Sequence, residues 1–154
     1  MKRTRVLPVV LAALMTLFVA LPAQAAEPGT VNVLNCDHFQ GGTQSVPRRT
    51  DINLTIAWAA KTRAQLRQFR NNVKVTARID GVRVESADSY WGGPHGGPGL
   101  WAVTWTYPAG QLRRGQSFTV TLQMTLLAPV YDGYTHSPKG PFFDPRLQCQ
   151  VEAA

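Results

Sequence analysis

Ser117 to Leu126 is a run in which every second side chain is large and apolar: Phe118, Val120, Leu122, Met124 and Leu126 alternate with Thr119, Thr121, Gln123 and Thr125. A period of two sorts side chains onto the two faces of a strand, so the run predicts a strand with one face on a core. The pattern recurs at Asp51–Trp58, where Ile52, Leu54, Ile56 and Trp58 share a face, and at Val73–Ile79, where Val73, Val75, Ala77 and Ile79 do. It recurs again at Leu100–Tyr107, with Trp101, Val103, Trp105 and Tyr107 together. Val31–Leu34, Val82–Val84 and the stretch through Leu147, Cys149 and Val151 add three shorter strands. Asp80-Gly81 predicts a two-residue hairpin turn, because such turns need positive φ at their centre. Residues 37–50 read as loop. One segment departs from the period: in Thr62–Asn71 a Thr62/Gln65 capping box and the i, i+3 pair Leu66 and Phe69 predict a short helix.

Seven half-buried strands separated by turn signals imply an all-β fold, an immunoglobulin-like antiparallel β-sandwich with one short inserted helix (62–71). A jelly roll or an open barrel is the main alternative. The antibody arrangement, two central cysteines with a tryptophan between them, is absent. Cys36 and Cys149 instead lie near the two ends. A bridge between them closes a loop of more than 110 residues, which stabilises a fold by about 4–5 kcal/mol in the chain-entropy treatment. There is no CxxC spacing, so the expected role of the pair is structural.

Residues 1–25 have the layout of a secretory signal peptide. Lys2, Arg3 and Arg5 precede an apolar run from Val6 to Leu21, and Pro22-Ala23-Gln24-Ala25 supplies a small-x-small cleavage site. The run is shorter than the roughly 20 residues that span a bilayer, so cleavage after Ala25 is expected, with no membrane span left afterwards. Residues 26–154 then form a single domain, secreted or extracytoplasmic, in a bacterial cell envelope or the medium. Of the net charge of +7, the leader carries three cations and no acid; 13 Lys/Arg remain against 9 Asp/Glu, or +4. That is too mild and too spread for a nucleic-acid partner to be expected.

Two places qualify as candidate sites. The loop Ser89–Gly99 (SYWGGPHGGPG) carries Tyr90, Trp91 and His95 among glycines and prolines, and Tyr131 and Tyr134 flank Asp132-Gly133 further on. If these loops meet, Tyr90, Trp91, Tyr131 and Tyr134 form an aromatic platform of the kind that stacks on sugar rings. Otherwise Trp91 folds back to cap the core. On the helix, Arg63, Arg67 and Arg70 are spaced i, i+4, i+7 and share a face. Aligned guanidinium groups grip oxyanions, although such a stripe also serves as a solvated face whose alkyl stems cover apolar surface. Arg48-Arg49 and Arg113-Arg114 read as solubilising turn residues. Trp58, Trp101, Trp105 and Tyr107 read as core, with an exposed Trp101/Trp105 pair as the other option. No metal or other cofactor is expected: His38, His95 and His136 are far apart, and no acidic run resembles a calcium loop. No GxSxG elbow is present. Asp88, Asp132 and Asp144 are the carboxylates a hydrolase would have to assemble, and an enzyme is not expected. Asn53-Leu54-Thr55 matches a glycosylation sequon inside a strand and reads as accidental.

Across roughly residues 50–135 the order Trp58-Ala59-Ala60-Lys61-Thr62, short helix, Asp80-Gly81, Tyr90-Trp91-Gly92, Trp105-x-Tyr107 and Pro129-x-x-Asp132-Gly133 resembles a group of secreted bacterial β-sandwich proteins. The resemblance implies secretion and a sandwich fold and carries no activity. The expected function is that of a non-enzymatic domain with a binding or structural role at the cell envelope or outside it, with a protein partner. The alternatives are a carbohydrate-binding module that uses the loop aromatics and a polyanion binder that uses the arginine-striped helix.

Overall fold

The computed structural model describes residues 29–37, 42–142 and 147–154. The leader 1–25 with its cleavage site, His38 and Asp144 lie outside the described residues. In chain order the first elements are β1 (Thr30–Asn32), the single turn α1 (Leu34–Asp37), β2 (Thr43–Val46), β3 (Asp51–Ala60), α2 (Arg63–Asn72), β4 (Val73–Ile79) and β5 (Val82–Arg83). A 3-10 turn (Ala87–Tyr90) leads to β6 (His95–Gly97), β7 (Leu100–Gln111), β8 (Ser117–Leu126), β9 (Val130–Tyr131), β10 (His136–Ser137), β11 (Gly140–Pro141) and β12 (Leu147–Ala153).

One sheet runs β1-β3-β7-β6 and the other β2-β12-β8-β4-β5, with β11 added to β8 and a separate β9-β10 pair. The inner faces of the two sheets supply a single core: Ile52, Leu54, Ile56, Val103 and Trp105 from the first, Val75, Ala77, Val120, Leu122, Met124 and Val151 from the second. The alternation of β3 and β8 is therefore the alternation of core and solvent. Asp80 and Gly81 have φ of 48° and 79°, the conformation that the hairpin predicted. The Asp80 carboxylate also accepts from the Thr119 N–H at 2.8 Å, which fastens the turn to β8. Cys36 and Cys149 are disulfide-bonded with their Cα atoms 5.2 Å apart, so the bridge ties α1 to β12.

The structure corrects the sequence reading at several strands. The described residues hold twelve strands rather than seven, and the edge pairs β1–β3 and β2–β12 are parallel. The expected strand Val31–Leu34 stops at Asn32, whose side-chain oxygen takes the Leu34 N–H at 3.1 Å and starts α1. Thr43–Val46, inside the expected loop, is an edge strand whose polar residues carry no period-2 signal. β7 continues past Tyr107 because a bulge lets Asn53 face Pro108 and Ile52 face Gly110, so the ladder skips Ala109, next to the proline that has no N–H to give. The helix is Arg63–Asn72, with Thr62 as its N-cap and the reciprocal Thr62/Gln65 capping box formed.

Candidate functional site

Helix α2 fills the connection from β3 to β4, so it covers the end of the core at which β3 and β8 finish and β4 and β7 begin. It buries Leu66 and Phe69. Phe69 stacks flat on Trp58 at 4.2 Å and meets Trp91 edge-on at 5.4 Å. Those anchors turn Arg63, Arg67 and Arg70 outward, toward the strand-and-loop segment 92–103. Between them lies a groove of about 280 Å³ lined by Arg63, Leu66, Arg67, Arg70, Pro94 and Val103. Three cations thus rim a hollow in which Pro94 is the exposed apolar residue, while Leu66 and Val103 behind it are buried in the core.

The three arginines are held differently. The Arg63 guanidinium lies over the Trp101 ring at 4.0 Å. Arg70 donates to the Gly92 carbonyl at 2.8 Å and reaches toward the Trp91 ring. Arg67 is exposed and makes no hydrogen bond, ion pair or ring contact among the described residues. No acidic residue occurs anywhere in α2, so the stripe has no counter-charge on its own helix.

The four aromatics expected to form a platform do not come together. The Asp88 carboxylate accepts from the Val75 N–H at 2.6 Å, and Trp105 Nε1 donates to the Ala87 carbonyl at 2.7 Å. These bonds pull the 3-10 turn against the core. Trp91 is consequently only 8% exposed and pairs with Trp105 in a β-bridge. Trp91 is the cap that the sequence left as an alternative to a binding residue. Tyr90 is half-buried and packs edge-on against Tyr107 at 4.9 Å. Trp105 is fully buried and Trp101 is half-buried, so these two do not make an exposed pair.

Tyr131 and Tyr134 remain at the surface. Asp132 accepts from the N–H groups of Tyr134 and Thr135, both at 2.7 Å, which shapes the loop. Lys61 N–H donates to the Asp132 carbonyl at 2.7 Å. Gly133, at φ +99°, sits so close to Lys61 that a Cβ there would clash with the Lys61 Cβ. The loop is thereby pressed onto the entry to α2. Tyr134 Oη donates to the Gly99 carbonyl at 2.5 Å, linking the loop to the tip of the β6–β7 hairpin. Tyr131 stacks on His136 at 4.3 Å, and His95 stands exposed on β6 opposite Ala102. Asp88 and Asp132 are thus both engaged in backbone hydrogen bonds.

Sequence reasoning missed Pro94 at the edge of the site, and the exposed Leu100 and Leu127 at the same end of the molecule. Leu100, Leu127, Tyr131 and Tyr134 are four of the five large hydrophobic side chains left exposed among the described residues. All four lie at the α2 end, and the fifth, Val82, follows the Asp80-Gly81 turn. The signal that could have found this was positional: leucines at a strand start and just past a strand end, where the period-2 pattern no longer dictates burial.

The sequence matches no protein-family model, and no curated protein matches it significantly. No group of His, Cys, Asp and Glu among the described residues could hold a metal ion, and no described helix is long and apolar enough to cross a membrane.

Proposed function

We propose that this chain is a secreted, non-enzymatic domain that uses the α2 groove to bind an acidic, partly apolar segment of a protein partner. The observation that carries the reading is the groove itself. Arg67, which has no partner among the described residues, stands between Arg63 and Arg70 over a hollow edged by Pro94, and exposed Leu100, Leu127, Tyr131 and Tyr134 stand at the same end. Apolar and aromatic residues beside arginine are the composition that protein interfaces favour. A chain of bare charges would leave the leucines and tyrosines unused, which weighs against a polyanion at this end.

The disulfide is consistent with an oxidising, extracytoplasmic location, as are the layout of residues 1–25 and the resemblance to secreted bacterial sandwich proteins. The strand order supports an immunoglobulin-like architecture. The order β3-β7-β6 follows B-E-D and β12-β8-β4 follows G-F-C, with β1, parallel to β3, and β2 and β5 as further edges. In that frame α2 is an insertion between the B and C strands.

A direct test is fluorescence anisotropy with a labelled peptide that alternates glutamate and leucine. Reversing the charge of the unpartnered cation, Arg67→Glu, is expected to weaken binding at least tenfold with the melting temperature unchanged. Equal affinity for both proteins would reject the groove. Carbohydrate binding is a second reading, favoured by Tyr134 at 64% exposure beside the hairpin tip. It requires that Tyr134→Ala, and not Arg67→Glu, remove binding to a soluble cell-wall glycan.

A further inference from the structure

The end of the molecule opposite α2 carries a second concentration of positive charge, formed where two distant turns meet. Arg48 and Arg49 lie in the turn between β2 and β3, and Arg113 and Arg114 in the turn between β7 and β8. The Arg49 N–H donates to the Leu112 carbonyl at 3.0 Å and joins the turns. The second turn is closed by Arg113 N–H to Gln116 Oε1 at 2.8 Å and Gln116 N–H to the Arg113 carbonyl at 3.0 Å. All four arginines are exposed, and together they line one open concavity of about 530 Å³. An adjoining concavity of about 560 Å³ shares Arg49 and Arg113 and continues over Gln111 and Leu112. None of the four side chains has a hydrogen-bond or ion-pair partner among the described residues. The carboxylates nearby are engaged with neutral groups, Asp51 with Gln111 at 2.8 Å and Glu152 with Ser45 at 3.2 Å.

We infer that this paired-turn concavity is a binding site for the phosphate groups of a linear phosphate polymer. Four like charges held together with no ion-pair partner among the described residues repel one another, and a hollow lined by one sign of charge concentrates the field on whatever enters it. Guanidinium forks bind oxyanions in bidentate fashion. The acceptor lone pairs of a carboxylate all lie in one plane, which limits the directions from which forks can approach it. A phosphate presents its oxygens tetrahedrally and so accepts from forks arriving from two turns at once. The continuation into the second hollow suits a chain better than a single ion, and a concave site suits it better than a flat lipid surface. Arg49 adds an independent indication. It holds φ of +57°, a left-handed conformation that glycine adopts without strain. The turn keeps a charged side chain where its backbone would suit glycine.

The test uses the oxidised chain and three probes, inorganic polyphosphate, a glycerophosphate polymer and polygalacturonate, titrated at low and at physiological salt. Tighter binding of either phosphate chain than of polygalacturonate is expected, weakening as salt rises. A preference between the two phosphate chains distinguishes a free phosphate chain from a phosphodiester one. Arg113→Gln with Arg114→Gln should reduce affinity at least tenfold, Arg49→Gly should reduce it severalfold with a melting temperature no lower than that of the parent, and Lys74→Gln, exposed on β4 at the other end, should leave it as it was. Equal binding of polygalacturonate overturns the phosphate assignment. Unaltered binding by the Arg113/Arg114 variant overturns the site. Binding to anionic phospholipid vesicles with none to any of the three polymers overturns it in favour of a membrane surface.

Discussion

The two ends of this molecule are both rich in arginine and use it in opposite ways. At the α2 end, Arg63 lies over Trp101 and Arg70 bonds the Gly92 carbonyl, so two of the three striped cations hold the helix to the neighbouring segment 92–103. Of the three, only Arg67 has no contact among the described residues and is left for a partner, at the end that also exposes Leu100, Leu127, Tyr131 and Tyr134. At the turn end, four guanidinium groups line one concavity with no partner among the described residues and only their backbones tied. A count of cations would rank the ends by charge alone. What separates them is how much of that charge the fold has already used: the α2 end offers an apolar surface with one cation available, and the turn end offers charge almost alone.

Mutations should separate the ends by their effect on stability. The largest loss is expected from Phe69→Ala, which removes the ring between Trp58 and Trp91. A buried aromatic truncation costs about 3–5 kcal/mol, a drop in melting temperature on the order of 10 °C. A loss below about 1 kcal/mol by denaturant titration would mean that α2 is only loosely attached and that its groove is not preformed. Thr62→Ala removes the capping hydroxyl that accepts from the Gln65 N–H, and urea unfolding should show a loss of about 1 kcal/mol. Arg63→Gln should cost about 0.5–1 kcal/mol in the same assay, because the contact with Trp101 goes. Arg113→Gln should change stability by less than about 0.5 kcal/mol, as for an exposed side chain with no partner. If Arg113→Gln destabilised the protein as much as Arg63→Gln does, the contrast between a structural and an available arginine would fail.

Much of the fold was legible because burial follows the period. In β3 and β8 every expected inward residue is buried, and Asp80-Gly81 and the Thr62/Gln65 box announced their own geometry. The extension of β7 was hidden by Pro108, which reads as a strand end unless a bulge is anticipated. β2 was hidden because Thr43-Gln44-Ser45-Val46 is a polar edge that pairs with a strand from the far end of the chain. The site was less legible for the same reason: it depends on contacts between distant segments. Whether Trp91 faced solvent or core rested on Asp88 reaching Val75. The arginine stripe was visible from spacing alone, but the engagement of its two outer members was not. The pairs Arg48-Arg49 and Arg113-Arg114 looked unremarkable singly, and only the antiparallel course of β3 and β7 brings them to one place.

The most direct test of the account is an NMR titration of the isotope-labelled, oxidised protein with the alternating glutamate–leucine peptide. Binding at the α2 groove predicts shift changes clustered at Arg63, Arg67 and Arg70, spreading to Leu100 and Tyr134, with the turns at Arg48-Arg49 and Arg113-Arg114 unmoved. Changes centred on those turns, with the α2 groove silent, would contradict it: the peptide would then be read as charge alone, and the apolar end would not be the partner-binding face.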